Sequence, residues 1–498
     1  MELPGHPGLS RRCLRIAICL CQLAAVAAQP QVQTAFRPPT SAELPKLAPH
    51  PRLLATDEDF KRLKATLATD AQAQQYFQQL QQFGETIKAY PTNHTNMYKP
   101  NHSWQHLWYR VVACGMLFRL TGDKTWAAAG IHETNATGNL PNWGGPTYLE
   151  VAGLTYAAAI GFDWFYDELT SAERAHISGF LVEQGINLAQ YDKYKGDFGG
   201  YTNRNIVANG CYLLGALAIW EEQPKLASQL WDLTTVAMQN GLLMYSDSGW
   251  WEGFVYWGYA TEHTISIGLT LNATFGTDFG FASIAGLAGS GDFAIRMFSN
   301  ATRHNYAFAD SGPLNNEYAA IMFWHNRVFP SARMAYTARL ATRAFYVGQP
   351  PRYPGELPDP PGCPEGGGKD CPASGRYPAW SLLFWDGRGS EADLLALPAV
   401  HAYHNISNVM IRSNWSSSAL PEKAATLLSY KGGATYWSHN HRDLGSFSFE
   451  SRGVRWAQDL GLENYGAGGA DNALNYRIST LGHNTLTFGG ASQPAGEQ

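Results

Sequence analysis

The chain has 498 residues, a formal net charge of −5, 45% hydrophobic residues and 15% charged residues. This composition excludes a globally disordered chain, and the negative charge argues against a protein that binds nucleic acid through bulk positive charge. An acidic ligand is still compatible, because a local cleft can be positive on an acidic protein. The 16 Trp, 25 Tyr and 23 Phe residues fit either a large helical core or surfaces that stack on sugar rings.

The N-terminus has the pattern of a secretory signal peptide over residues 1–28. Arg11, Arg12 and Arg15 precede a short apolar stretch, 16–28, that ends in small residues. This stretch is shorter than the roughly 20 residues that a membrane span needs. We therefore expect signal cleavage, no stable membrane span after it, and a protein that is secreted or lies in the lumen of the secretory pathway.

The cysteines and the glycosylation motifs fit the same route. Cys363 and Cys371 flank a Pro/Gly-rich loop, and we expect them to close a small disulfide ring. Cys114 and Cys211 lie in apolar helical patterns, which favours buried thiols, with a bridge between them as the alternative. Acceptor motifs for N-glycosylation occur at Asn93, Asn101, Asn135, Asn272, Asn300, Asn405 and Asn414.

After a Pro/Gln/Ala-rich linker at 29–48, residues 49–347 show helical periodicity. Short or Gly-rich connections separate the periodic blocks, which indicates a stack of antiparallel helical hairpins. The predicted helices cover 57–82, 106–120, 148–166, 171–190, 205–220, 225–243 and 259–269, with several more up to residue 346.

Residues 348–378 are rich in Pro and Gly and are predicted to link two domains. Beyond them, over 379–498, the apolar pattern changes from helical to alternating, which is typical of strands. The predicted strands cover 409–413, 425–430, 445–450, 454–459 and 485–488. Because the chain stops soon after the last of these, we expect the sheet domain to be incomplete.

The densest polar cluster lies in this second region. His439 and His441 are two residues apart, so on a strand they would point to opposite faces. Asp459 ends the predicted strand that follows a hairpin, and His483 lies further along the chain. Two His and one carboxylate form an ordinary metal-binding set. The alternative is a hydrogen-bonded polar patch that caps strand ends.

Two further clusters lie in the helical region. Asn203, Asn205 and Asn209 begin a predicted helix, where caps and packing are the favoured interpretation, although amides one turn apart can also donate to a carboxylate. The stretch 249–259 is rich in Gly, Trp and Tyr. It predicts either an aromatic core or a platform for sugar rings with a Tyr acid/base.

The three clusters, in this order, resemble the heparinase II/III-like polysaccharide lyase superfamily, which includes alginate lyases, heparinases and dermatan sulfate epimerase. The resemblance implies an incomplete α/α toroid followed by an antiparallel β-sandwich, with a cleft between them. It also implies removal of the carbon-5 proton of a uronate. The segments that carry it are 50–63, 162–169, 202–210, 439–441, 459–461 and 482–486.

The resemblance assigns catalytic roles by position. Asn203 matches the Asn that holds the substrate carboxylate, and His439 matches the catalytic His of the sheet domain. Tyr259 best matches the Tyr of the helical domain. Tyr476 is favoured over Tyr465 as a second Tyr. The chemistry requires such a set, because the carboxylate must be neutralised by hydrogen-bond donors before a base can remove so weakly acidic a proton.

Arg204 stands where several family members have a His. Its guanidinium can neutralise a carboxylate through two hydrogen bonds but cannot act as a base, which leaves the base on that side of the cleft open. The remaining residues predicted to contact substrate are Asn205, Trp251, Tyr256 and Trp257, and Tyr256 is also the alternative to Tyr259.

The resemblance further implies a structural metal ion. His441, Asp459 and His483 match the family ligands, which usually bind zinc; manganese and calcium remain open alternatives. Such an ion would hold the strands together and aim His439 into the cleft.

The leading interpretation is thus a secreted lyase that acts on an acidic, uronate-containing polysaccharide. An epimerase uses the same carbanion and reprotonates its opposite face. A glycoside hydrolase would need paired carboxylates across the cleft, for which Glu252, Asp247 and Asp310 are candidates. A non-catalytic glycan-binding protein is the fourth interpretation.

Overall fold

A computed structural model describes residues 34–89, 91–92, 103–140, 142–145, 147–299, 305–312, 320–346, 376–415, 425–434, 438–462 and 476–494. The signal peptide, the disulfide between Cys363 and Cys371, Tyr465 and three of the glycosylation motifs (Asn93, Asn101 and Asn300) lie outside these residues. Residues Ala35–Gln498 form one compact unit.

The chain forms a long helical region before its only described sheet begins. The helices are α1 (Asp57–Leu67), α2 (Ala71–Ala89), α3 (Ser103–Thr121), α4 (Lys124–Gly138), α5 (Leu149–Trp164), α6 (Ser171–Phe180), α7 (Leu188–Lys193), α8 (Lys195–Gly199), α9 (Asn203–Ala218), α10 (Pro224–Ala237), α11 (Gln239–Leu242), α12 (Gly253–Phe275), α13 (Ser290–Met297), α14 (Ile321–Val328), α15 (Ala332–Tyr346), α16 (Arg376–Leu383) and α17 (Glu391–Leu395).

The strands are β1 (Val400–Tyr403), β2 (Asn408–Arg412), β3 (Thr426–Lys431), β4 (Phe447–Ser451) and β5 (Val454–Ala457). They form an antiparallel sheet in the order β1-β2-β3-β4-β5. The predicted fold class, a helical region followed by an antiparallel sheet, is confirmed. Within the described residues the sheet is single.

Local side-chain chemistry explains where the predicted helices divide. The predicted helix 57–82 is two helices, because the Asp70 carboxylate accepts from the N–H groups of Gln72 and Ala73, both at 3.0 Å, and so starts α2. The predicted helix 171–190 starts as expected, with a capping box between Thr170 and Glu173. The α-helix itself, α6, ends at Phe180 because a single π-helical turn, Leu181–Gly185, follows it.

The helical core depends on small residues that let helices approach closely. Helix α5 is buried along nearly its whole length and packs against α3, α4 and α9. At Gly161, an added Cβ would lie 2.1 Å from the Thr134 Oγ1 on α4.

The thiols of Cys114 and Cys211 are buried and free, so the prediction of buried thiols is confirmed and the bridge between them is excluded. Among the described residues, no helix combines the length and the apolar character needed to cross a membrane.

The sheet differs from prediction at both ends. Strand β1 was not predicted, and only Tyr403 of its four residues is buried, so the strand carries no alternating pattern of burial. The predicted strand 485–488 is wrong, because only an isolated bridge between Phe488 and Ala491 forms there. Leu486 and Phe488 are 75% and 81% exposed, so the alternation of this segment is not matched by burial.

The β1–β2 side of the sheet is tied to the helical region by arginines. The Arg412 guanidinium on β2 donates to the backbone carbonyls of Arg296, at 2.9 Å, and Phe298. The Arg296 guanidinium donates to the Pro398 carbonyl at 2.7 Å. These bonds fix the sheet against the end of α13.

A buried ionic cluster anchors the segment before α1 to the helical core. The fully buried Asp163 carboxylate accepts from the N–H groups of Arg52 and Leu53 and from the His50 Nδ1 at 2.5 Å. The Arg52 guanidinium pairs with both carboxylate oxygens of Glu221 at 2.6 Å. The cluster therefore holds the segment before α1 to the helical core through one buried carboxylate.

This cluster predicts a pH-dependent contribution to stability. Burial alone would lower the pKa of His50, but the hydrogen bond to Asp163 and the nearby Glu221 carboxylate outweigh burial and raise the pKa above the ordinary 6.5. A raised folded-state pKa stabilises the fold fully below the unfolded value, and this stabilisation is lost as pH rises through the folded value.

Thermal melts of wild type and His50→Gln across about pH 5 to 9 measure this effect. We expect the gap in Tm to be widest at the acidic end and to narrow with rising pH. A gap that stays constant across the range would contradict the assignment.

Candidate active site

The N-terminus of α9 presents a buried amide. Thr202 is extended, and Asn203 is the first residue of the helix, with no exposed surface. Within the described residues, neither the amide nitrogen nor the amide oxygen of the Asn203 side chain has a hydrogen-bond partner. Leaving such a group unpaired costs roughly 1–3 kcal/mol, so the group calls for an explanation, and contact with a ligand is one of those available.

Glu252 links this helix start to the sheet region. It is fully buried just before α12. One carboxylate oxygen accepts from the backbone N–H of Asn203 at 3.0 Å and from the Trp250 indole N–H at 3.2 Å. The other oxygen bonds the His439 Nδ1 at 2.9 Å. Gly253 allows this turn, since φ there is +87° and a Cβ would lie 2.6 Å from the Phe308 carbonyl oxygen.

The His439 ring is held on two sides. Its Nδ1 faces Glu252, and its ring stacks on the Tyr256 ring with centroids 3.9 Å apart and an interplanar angle of 12°. The His439 backbone lies in the left-handed region at φ +63°, which is uncommon for a residue other than Gly. The side chain is 11% exposed, so one edge of the ring still faces the surface.

Tyr259 and Trp251 lie near Tyr256 in the chain. Tyr259 follows Tyr256 by three residues on α12 and therefore shares its side of the helix. It is 8% exposed, and its ring meets the His263 ring edge-on. Trp251 is partly exposed. It borders a small cavity, whose lining residues are Trp251, Phe308, Ile406, Lys431, Gly432, Ala434 and Asn440.

Other predicted site residues lie elsewhere. Asn205 is fully buried, and its amide donates to the carbonyls of Phe198 and Ala237, at 2.6 and 3.0 Å. Trp257 is fully buried and stacks on Phe254. Both residues serve the core in this structure rather than a surface that a sugar can reach, which corrects the predicted substrate contacts.

Arg204 and Tyr476 have exposed side chains. The Arg204 side chain is 40% exposed and pairs with the Asp197 carboxylate at 3.4 Å. Tyr476 opens a 3₁₀ turn, Tyr476–Ile478, and is 55% exposed. Within the described residues its hydroxyl has no hydrogen bond.

A buried group of three side chains has the geometry of a metal site. Ligand atoms of His441, Asp443 and His483 lie within 4.8 Å of one another. The His441 Nε2 bonds the Asp310 carboxylate at 2.9 Å. Among the described residues, the His441 Nδ1 and the His483 Nε2 are buried without a partner. Two unpaired imidazole nitrogens beside a carboxylate fit a cation such as zinc.

The carboxylate in this group differs from the predicted one. Asp443 joins the two histidines, although it also forms a buried ion pair with the Lys431 ammonium at 2.6 Å. Asp459 instead bonds the His483 Nδ1 at 2.9 Å. Burial would raise the pKa of Asp459, but the hydrogen bond and charge of His483 outweigh it and lower the pKa. Asp459 thus orients a candidate ligand in the way that outer carboxylates do in metal sites.

The carboxylates proposed for a glycoside hydrolase each have another partner. Glu252 bonds His439, Asp310 bonds His441, and Asp247 accepts from the backbone N–H of Asn405 at 2.7 Å. Each of the three carboxylates therefore has a hydrogen-bond partner, and these bonds do not form the acid/base pair across the cleft that a glycoside hydrolase needs.

Glu252, Asp443 and Asp310 are the site residues that sequence reasoning did not assign to these roles. Glu252 was considered only as a hydrolase carboxylate. Its signal was available: it is the only acidic residue in the aromatic stretch 249–259, and Gly253 follows it. The partner of Asp310 is 131 residues away, and no local pattern indicates a contact at that distance.

A family model matches part of the second region. Residues 419–497 match the family model described as "Heparinase II/III-like, C-terminal", which confirms the resemblance to this group over that segment. A search of curated proteins finds no match to the sequence.

Similar solved structures include heparinases and a heparan sulfate lyase. A mutant of the heparan sulfate lyase HepC from Pedobacter heparinus is 16% identical, with 89% of this chain and 72% of that chain covered and a TM-score of 0.46. A heparinase III is 14% identical, with 81% and 58% covered and a TM-score of 0.47. A second heparinase III is 13% identical, with 99% and 70% covered and a TM-score of 0.47. The chain thus spans 58% of the length of the first heparinase III.

Proposed function

We propose that this protein is a polysaccharide lyase that cleaves a uronic-acid-containing polymer by β-elimination. One observation carries the proposal: Asn203 of the helical region and His439 of the sheet region meet on the carboxylate of Glu252. The family match of residues 419–497 supports the same reaction class.

Binding begins with the uronate carboxylate. In this proposal the Asn203 amide donates to it, which satisfies a buried amide that otherwise has no partner within the described residues. The Arg204 guanidinium, one residue further on, is 40% exposed and paired with Asp197, and this proposal assigns it as a second cationic donor to the same carboxylate. Donors of this kind stabilise the enolate-like charge that develops when the carbon-5 proton leaves.

His439 is the proposed base. A carboxylate only accepts hydrogen bonds, so the bond to Glu252 assigns the ring hydrogen to the His439 Nδ1. The Nε2 of the neutral ring then carries a lone pair, which takes the carbon-5 proton. The electron pair of the broken C–H bond forms the double bond between carbon-4 and carbon-5.

Tyr259 is the proposed acid. As the bond from carbon-4 to its oxygen breaks, the Tyr259 hydroxyl donates a proton to the leaving oxygen. Solvent exchange then returns a proton to Tyr259 and removes one from His439. The partly exposed Trp251 beside the cavity is the proposed platform for a neighbouring sugar ring.

A panel of uronate polymers tests the function. Wild type is incubated with alginate, glucuronan, heparan sulfate and dermatan sulfate, and the ultraviolet absorbance of the unsaturated product is followed. We expect a rise on at least one polymer that is absent with Tyr259→Phe. No rise on any polymer would contradict the lyase, and deuterium at carbon-5 of the recovered polymer would then identify an epimerase.

Zinc is the proposed structural metal. His441, His483 and a carboxylate of this cluster would hold it, and the bound ion would supply a rigid link between the loop after β3 and the C-terminal loop. The two buried imidazole nitrogens that lack partners among the described residues support this assignment. The reaction steps above use only side chains of the protein.

Zinc removal is therefore expected to lower stability. Chelation should lower the Tm by roughly 5 °C or more, because loss of a ligand that binds only the folded state destabilises that state. His483→Ala should abolish both the retained zinc, measured by elemental analysis, and the response to added zinc. His404→Asn, at an exposed histidine, is the control. Wild type that retains no zinc, and whose Tm does not respond to it, would contradict the site.

The secretory route is also part of the proposal. Asn272 and Asn405 are exposed, which supports glycan attachment at these two motifs. Asn135 and Asn414 are half-buried, so they are poorer acceptors. Mass spectrometry of the protein secreted from eukaryotic cells tests both the cleavage near residue 28 and the occupied sites.

A further inference from the structure

We infer that Glu252 is a positioning residue that fixes the tautomer and the location of the His439 ring across the junction between the helical region and the sheet region. The catalytic consequence of this inference rests on the proposed function. The structural consequence, which tautomer His439 adopts, does not.

The two oxygens of Glu252 have different partners, and this difference carries the inference. One oxygen accepts two N–H groups, from the backbone of Asn203 and the indole of Trp250. Among the residues that the structure describes, the other oxygen bonds the His439 Nδ1. Because Glu252 is fully buried, water does not compete for either oxygen, and both sets of bonds hold the carboxylate in one orientation.

Tyr256 restricts the ring in the remaining direction. Its stack on the His439 ring, at 3.9 Å and 12°, fixes the plane of the imidazole, whereas the bond to Glu252 fixes the rotation within that plane. Both contacts come from the first turn of α12 and the residue before it. The helical region therefore places a histidine that the sheet region supplies.

The same carboxylate also sets the spacing of the site. Glu252 holds the backbone of Asn203 and the ring of His439 at 3.0 and 2.9 Å. The donor proposed for the substrate carboxylate and the proposed base are thus separated by one buried side chain. A shift of about 1 Å in such a pair is enough to lower a rate about 100-fold.

Glu252→Gln reverses the direction of the hydrogen bond to His439 without changing the size of the side chain. The N–H groups of Asn203 and Trp250 require an acceptor, so the amide oxygen of the new residue must face them. The amide NH₂ then faces the His439 Nδ1, which must accept, and the ring hydrogen moves to Nε2. A ring in this tautomer cannot take a proton at Nε2.

We expect Glu252→Gln to lower kcat by roughly 10⁴-fold, the loss that tautomer reversal causes in a Ser-His-Asp triad, with KM little changed. The matched control is Glu262→Gln. Glu262 is also fully buried on α12, and its carboxylate accepts from the Trp380 indole rather than from His439. The control should retain kcat, which separates loss of the tautomer from loss of a buried charge.

The tautomer itself is read by nitrogen-15 NMR of histidine-labelled protein at alkaline pH, with the His439 signals identified by their absence in His439→Asn. Wild type should show the hydrogen on Nδ1, and Glu252→Gln should show it on Nε2. If wild type shows the expected tautomer but no polymer reacts, the proposed function fails and this inference stands. A wild-type hydrogen on Nε2 would overturn the inference, whether or not the variant folds.

Discussion

His439→Asn is expected to lower kcat/KM on the responsive polymer by about 10³-fold or more, because the substitution removes the proposed base. Asn is the suitable replacement, since it tolerates the left-handed backbone that His439 adopts at φ +63°. The Tm should therefore change little. Product absorbance at several substrate concentrations gives kcat and KM separately, and we expect the loss to appear in kcat.

The control for this variant is His404→Asn, which changes an exposed histidine between β1 and β2 and should leave the rate unchanged. Full activity in His439→Asn would remove this residue from the reaction. Such a result would direct attention to Tyr259 as the base.

Asn203→Ala is expected to reduce kcat/KM by about 10²- to 10³-fold, as removal of one donor to a developing oxyanion does in other enzymes. The variant should be at least as stable as wild type, because the deleted amide is buried and has no hydrogen bond within the described residues. A side chain that contacts substrate is expected to behave in this way: it lowers the stability of the free protein but is needed for activity.

Asn209→Ala is the matched control on the same helix. Its amide donates to the carbonyls of Phe198 and Asn205, at 3.0 and 2.9 Å, so its loss should destabilise the protein by roughly 1–3 kcal/mol. Thermal melts and rates of the two variants should thus diverge in opposite directions. If Asn203→Ala were the more destabilised variant and remained active, Asn203 would be a structural residue.

Periodicity predicted the helices and most of the strands because both patterns are local. The Thr170 capping box and the strands near 409–413 and 425–430 appear where short sequence patterns place them. The failures are also physical. The break at Asp70 depends on one side chain that caps a new helix. The missing strand at 485–488 depends on whether a partner strand is present, which a single segment does not specify.

The site was predictable in its residue types but not in its pairings. His439 and Asn203 came from the resemblance, whereas the carboxylate that joins them lies 49 residues from Asn203 and 187 from His439. Asp443 entered the metal group in place of Asp459 because three-dimensional packing, rather than spacing, decides which carboxylate faces two histidines. Likewise, Trp257 and Asn205 have residue types that suit a sugar site, but their burial assigns them to the core.

The most direct test of the central claim is proton NMR of a responsive uronate polymer incubated with the protein in deuterium oxide. Removal of the carbon-5 proton predicts a new vinylic signal at carbon-4, or loss of the carbon-5 signal through exchange, and neither change with His439→Asn. An unchanged carbon-5 signal on every polymer of the panel, with no vinylic product, would contradict the claim that Asn203 and His439 form a site for proton abstraction.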